Sequence, residues 1–222
     1  MYVPEIFRLD DAAAAAVVRD NGFGLLVTVS ARGRPQASHL PFLLEEGAAE
    51  GAGGPRLLLL GHLARANPQW RDLADLAASG GEALAVFQGA QGYVSPSWYG
   101  PGPAVPTWNY LAVHLYGRPR IVEAADEVEA LLARLVEAHE AGAARPWRME
   151  SQDPGYLARM RRGIVAFEIP VARLEAKAKL SQNKPAADRR RVVEALESAQ
   201  DPQGRALAVE MRATEMRTGR PE

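Results

Sequence analysis

Apolar and polar positions alternate along some stretches of this chain and recur at helical spacing along others. GLLVTVS at 24–30 and QASHLPFLLEE at 36–46 carry strand-forming residues, and ARGRP at 31–35 supplies turn chemistry between them, which predicts a hairpin. Pro41 removes a ladder donor from the second run, so that strand belongs at an edge or a bulge. RLLLLGHL at 56–63 is continuously apolar, as expected of a strand buried on both faces. EALAVFQG at 82–89, GYVSPSW at 92–98 and TWNYLAVHLYGRPRIVE at 107–123 continue the β set, the last long enough to cross a sheet and run past it. GIVAFEIPVARLEAKAKLSQ at 163–182 reads as a strand leading into a loop, and GAAEGAGG at 47–54 as a flexible loop.

Helices fall between these runs. Asp10 caps one through Ala12–Ala16 to about Arg19, with Gly22 expected as a left-handed C-terminal cap. Asn67 is the expected N-cap of the next, Pro68 its first residue, and Gly80-Gly81 its end. Val128, Leu131, Leu132, Leu135 and Val136 give a helix over about 125–141, and Pro154 opens a short one near Tyr156. Two more span about 186–199 and 202–216, the second capped by Asp201. Six to eight strands joined mostly by hairpins, with weak βαβ alternation, predict an α+β fold: a mainly antiparallel barrel with helices packed on it. The expected division is a barrel domain over 1–185 and a helical extension over 186–222, packed on the barrel or on a dimer.

Composition narrows the function. With 26 basic against 27 acidic residues, no strongly electrostatic partner is implied for the whole chain. The absence of cysteine removes disulfides, thiolate metal sites and thiol catalysis. The N-terminal MYVPEIFRLD is acidic and lacks an apolar run, and no apolar run is long enough to span a bilayer. A soluble, cytoplasmic protein is expected.

Candidate chemistry concentrates in 87–110, which holds six of the fifteen aromatic residues interleaved with Gly, Pro, Ser, Asn and Gln. Flat rings beside amides and hydroxyls suit a flat, hydrogen-bonding ligand, or equally a structural loop capping a barrel. The four histidines (39, 62, 114 and 139) show no metal-binding spacing; His39 and His62 lie near strand ends, whereas His114 alternates into an apolar strand. No P-loop, no G-x-S-x-G elbow and no dinucleotide fingerprint is present. Arg65 and Asn67 stand between a strand and a helix N-terminus, where a phosphate can be held, or where they simply form a surface arginine and a cap. KLSQNKP at 179–185 is a second dense donor cluster, suited to a phosphate, to an oxygen-rich ring edge, or to a solvated helix entry. Arg189, Arg190 and Arg191 form the strongest basic run, but the break between the tail helices lacks the usual glycine of a DNA-binding helix-turn-helix.

MYVPEIF at the start, HLPF at 39–42, His62 through Arg71, GYVSPSWY at 92–99, VPTWNY at 105–110 and KLSQNKP with Asp188-Arg189 together resemble the PaiB family, FMN-binding proteins called negative transcriptional regulators. The resemblance runs in order from Met1 to about Val193. It implies a split β-barrel like that of pyridoxamine-phosphate oxidase, a homodimer, and FMN in clefts between subunits. It also implies that Arg65 and Asn67, with His62, lie on the phosphate side, and His39, near a strand end, is a further candidate contact to the cofactor. Tyr93, Ser95, Trp98, Trp108 and Asn109 would wall the isoalloxazine, and Lys179, Ser181, Gln182 and Asn183 would reach in from either subunit. Asn109, Ser95 or Gln88 would tune the flavin by donating a hydrogen bond. No residue stands out as a general base or a metal ligand. DNA binding follows from the family name but from no clear motif. An FMN-dependent oxidoreductase acting on a small molecule at the dimer cleft is the alternative.

Overall fold

Phe42 decides the path of the first strands. The run at 36–46 was expected to be one strand; it is two, β2 (Pro35–Pro41) and β3 (Leu43–Glu46). Pro41 cannot donate to a ladder, and the Phe42 ring is driven into the core, edge-on to Phe87 and Phe167 at 5.4 and 6.2 Å between centroids. The chain therefore changes sheets at this residue. β1 (Phe23–Val29) pairs antiparallel with β2 from Phe23↔Pro41 to Val29↔Pro35, so the expected hairpin is present.

The remaining strands are β4 (Leu57–Ala64), β5 (Ala83–Val94), β6 (Thr107–Gly117), β7 (Arg120–Val122), β8 (Ile164–Pro170) and β9 (Arg173–Lys179). They form a five-stranded sheet of order β2-β1-β5-β6-β9 and a four-stranded sheet of order β3-β4-β8-β7. β2 is an edge strand, as Pro41 requires. The run at 163–182 also divides, because Pro170 ends β8 and β9 joins the other sheet. The run at 107–123 divides at Arg118-Pro119. There a Cβ on Gly117 would run into the Pro170 carbonyl oxygen, so only glycine allows the two backbones to approach.

The helices are α1 (Asp11–Asp20), α2 (Gln69–Ser79), α3 (Ala125–Glu140), α4 (Pro154–Arg162), α5 (Ala186–Ser198) and α6 (Pro202–Thr218). Asp10 caps α1 by accepting from the Ala13 amide at 2.7 Å. Its other end differs from expectation: Asn21, not a left-handed Gly22, closes it, donating backbone and side-chain N–H groups to Val17 O. α2 starts one residue later than expected, with Pro68 at the cap position, and ends on Gly80 at φ +77°.

This computed structural model describes residues 1–46 and 57–218; the glycine-rich run at 47–54 lies outside them. The chain forms two compact units. One comprises 1–21, 88–113 and 175–222; its core joins Val94 and Leu111 to Leu180, Val192, Val193, Leu196, Leu207 and Met211. The tail helices α5 and α6 thus supply much of that core, each fully buried leucine contributing roughly 1.5–3 kcal/mol. The other comprises 22–87 and 114–174, with α3 laid on the four-stranded sheet through Leu131 and Leu135 against Leu60, Val122 and Ala166.

Candidate functional site

The predicted site residues fall into two groups, one in each unit. In the unit of 22–87 and 114–174, β4 carries His62 and the turn after it carries Arg65 and Asn67. The Arg65 amide donates to Gly163 O at 2.8 Å, its Nε to Arg162 O and its Nη2 to Ile164 O, both at 2.9 Å. The fork is therefore held rigidly at the start of β8. Arg65 lines a cleft of about 700 Å³ with Trp70, Arg161, Arg162, Asp126 and Glu129. Asn67 Nδ2 donates to Ser38 Oγ at 2.9 Å, and its Oδ1 accepts from the Gln69 amide at 3.0 Å. Asn67 thereby ties the helix start to β2. His39 is exposed on β2, its ring stacked at 6.1 Å on the exposed Phe23. His62 is half-buried, and burial pushes its pKa down. His114 lies 3.4 Å from the Tyr116 hydroxyl.

Sequence reasoning missed the buried polar network that holds this turn. Gln69 Nε2 donates to Leu26 O, Thr28 Oγ1 and Gln36 O at 3.1, 3.2 and 3.3 Å. Asp72 Oδ2 accepts from Thr28 Oγ1 at 3.0 Å and Gln36 Nε2 at 2.8 Å. Gln69, Asp72 and Thr28 are all buried. The only trace in the sequence is the spacing of Gln69, Asp72 and Leu73, which share one helix face.

In the other unit, Tyr93 and Trp108 meet edge-to-face at 6.1 Å and remain 45% and 55% exposed, an open aromatic surface. Trp98 is instead packed against the α5–α6 core. Gln88 donates to Gln91 Oε1 at 2.5 Å, and Ser95 caps the turn at Pro96–Trp98 by accepting from the Ser97 amide at 3.2 Å. Asn109 is fully buried and donates to Ser181 Oγ at 2.9 Å. Ser181 adopts φ +65°, a left-handed conformation costly for a residue with a Cβ, and the Asn109 bond holds it there.

Lys179 Nζ sits 2.5 Å from both Thr107 Oγ1 and Trp108 O. Its pKa is lowered, first by burial and then by the positive charges of Lys177 and Lys184. Gln182 folds back on its own loop, its Nε2 donating to Ala178 O at 2.6 Å and its Oε1 accepting from the Leu180 amide at 2.7 Å. Asn183 is exposed. Lys184 Nζ lies 4.9 Å from the Tyr99 ring centroid, and burial raises the Tyr99 pKa.

The arginine run of the tail is engaged locally. Arg189 Nη1 donates to Lys184 O at 2.8 Å, and Arg191 Nη1 to Asp188 Oδ1 at 2.8 Å. Among the described residues no group of three or more His, Cys, Asp or Glu is placed to hold a metal, and no helix is long and apolar enough to cross a membrane.

Comparison with known proteins adds three findings. The profile of a family described as "Putative FMN-binding domain" matches residues 1–173. The Bacillus subtilis protein named Protease synthase and sporulation protein PAI 2 is 34% identical, over 94% of this chain and 95% of its own length. Among solved structures, the FAD and heme binding protein of Mycobacterium smegmatis has a TM-score of 0.56 at 16% identity, covering 81% of this chain and 76% of that one. The flavocytochrome Anf3 of Azotobacter vinelandii has a TM-score of 0.54 at 15% identity, covering 80% and 72%. At such identities these two structures carry the fold alone.

Proposed function

This chain belongs to the PaiB family of FMN-binding proteins, flavin binders with a mainly antiparallel α+β split-barrel fold, and from that premise we propose that its flavin is FMN and that it acts as a cytoplasmic negative regulator of transcription. The observation that carries the flavin reading is Lys179. It is partly desolvated, bonded to neutral oxygens and pressed by two further cations. An anionic or electron-rich group beside it relieves that repulsion, so this donor set fits a flavin ring edge.

FMN supplies the redox chemistry when bound, and the chain supplies position and polarity. Arg65, its fork oriented by two carbonyls, holds the phosphate with its remaining N–H groups. Within their own unit, Tyr93 and Trp108 offer open ring faces suited to a planar group such as an isoalloxazine. Asn109 and Ser181 keep the 179–183 loop in one conformation, so that Lys179 meets the ring without reorganisation. The exposure of Tyr93, Trp108 and Val105 supports a homodimer in which a second copy covers them.

Control of transcription is indirect in this reading. α6 buries Leu207, Ala208 and Met211 in its own unit, and Arg189 and Arg191 are spent on neighbouring loop and helix atoms. The tail thus offers no clear DNA-reading motif, and in this reading the regulator works through a partner or a metabolite. Deleting the gene should raise a defined set of transcripts, and the wild-type gene, but not one carrying Arg65→Ala, should restore them. Unchanged transcripts would remove the regulatory role.

A second reading, an FMN-dependent oxidoreductase, is favoured by the solvent-open Tyr93–Trp108 pair, on which a planar substrate can stack. Steady anaerobic bleaching of the flavin by NAD(P)H, with turnover on adding an acceptor, would favour it over regulation.

A further inference from the structure

β9 carries a buried charge that the flavin reading does not use. Lys177 is 8% exposed, yet among the described residues no acidic side chain is ion-paired with it. Glu175, Lys177 and Lys179 share one face of the strand, while Ala176 and Ala178 turn to the other. The carboxylate on that face, Glu175, is already paired with the Met1 amino group. Lys177 Nζ donates to Tyr2 O at 3.3 Å and lies 5.7 and 5.4 Å from the ring centroids of Tyr2 and Tyr110. Ring faces and a carbonyl hold an ammonium in place without cancelling its charge. Buried charges are normally paired, because an ion removed from water is costly. Packing alone is served better by a Met or a Leu at this position, so the retained charge calls for a negative partner.

We infer that Lys177 tunes the flavin's redox potential: its uncompensated charge stabilises reduced FMN over oxidised FMN and so raises the midpoint potential. The inference rests on the reading that Lys179 meets the flavin ring edge. Lys177 and Lys179 are next but one along the same strand face, about 6.6 Å apart at their Cα atoms, and the charge of Lys177 is felt at Lys179. Lys179 makes the contact. Lys177, being buried, reaches the ring only as a field. The oxidised ring is neutral, whereas reduction adds negative charge at its edge, so a nearby cation acts chiefly on the reduced form. A unit charge acting over ~12 Å at an effective permittivity of about 20 changes an equilibrium about tenfold. Burial also limits how far salt can screen it.

Spectroelectrochemical titration of the FMN-loaded full chain tests this, with the affinity for oxidised FMN measured beside it. In Lys177→Met the affinity for oxidised FMN should stay near that of wild type. The ratio of reduced to oxidised affinity should fall about tenfold, which lowers the two-electron midpoint by about 30 mV. Lys177→Arg keeps the charge and should keep the wild-type potential. Tyr2→Ala, at a position 83% exposed, opens the ammonium to water and should lower the potential by a smaller amount. The inference is overturned if Lys177→Met leaves the potential unchanged, or if Lys177→Arg lowers it as far as Lys177→Met does. Should Lys177→Met yield no folded protein, an unchanged potential in Tyr2→Ala overturns it. Lys179→Met separates the two claims: if it binds FMN as wild type does, the flavin reading falls and this inference with it. If Lys179→Met weakens FMN binding while Lys177→Met leaves the potential unmoved, this inference alone falls.

Discussion

Replacing Asp72 tests whether the buried network, rather than the loop sequence alone, holds the turn that carries Arg65 and Asn67. Its Oδ2 accepts from Thr28 Oγ1 at 3.0 Å and from Gln36 Nε2 at 2.8 Å. Thr28 is only 2% exposed and also accepts from the buried Gln69. Hydrogen bonds to a charged acceptor contribute about 1.5–3 kcal/mol each, and a buried donor left unpaired loses the full amount. Gln36 is half-buried and regains water when the carboxylate is removed, whereas Thr28 does not. One full loss and about half of a second put Asp72→Ala at roughly 3–4 kcal/mol. In Asp72→Asn the amide oxygen can take both donors but without the charge, so about 1–2 kcal/mol is expected. Urea unfolding followed by circular dichroism measures both. A loss below about 1 kcal/mol for Asp72→Ala, or equal losses for the two variants, would refute the network as the source of stability.

Three further outcomes follow. The folded-state pKa of His62 lies below its ordinary 6.5 because of burial, so the unfolded chain binds more protons between the two values. Stability due to this group is then complete above about 6.5 and is lost as pH falls toward the folded value; wild type should lose stability over that window and His62→Leu should not, and equal slopes in urea titrations would contradict this. Gly117→Ala drives a Cβ into the Pro170 carbonyl and should cost about 3 kcal/mol or more, read as a lowered urea midpoint or loss of soluble protein; near-wild-type stability would show that the approach of the two backbones is not tight. Lys179→Met should weaken FMN binding about tenfold, ~1.4 kcal/mol, and flatten its salt dependence, whereas unchanged titrations would remove Lys179 from the flavin site.

Local signals were legible where one residue decides the backbone. Asp10 caps α1, Gly80 closes α2, and Pro41 lies on an edge strand, each for a reason contained in its own side chain. The sheet changes at Phe42 and beyond Pro170 were not legible, because membership of a sheet is set by partners far along the chain. Both runs looked continuous since strands of either sheet share the same period. In the candidate site, the density of donors at 179–183 was visible. The left-handed Ser181 and its Asn109 partner, 72 residues away, were not. Gln69 and Asp72 escaped notice because a polar residue on a helix reads as solvent-facing until its buried partners are known.

Comparing FMN with riboflavin by calorimetry, on wild type and on Arg65→Ala, most directly probes the claim that this chain holds FMN by its phosphate. Wild type should bind FMN at least about a hundredfold more tightly than riboflavin, ~2.7 kcal/mol, and Arg65→Ala should lose most of that difference while binding riboflavin as before. Equal affinity of wild type for the two flavins, or an FMN preference that survives Arg65→Ala, would contradict it.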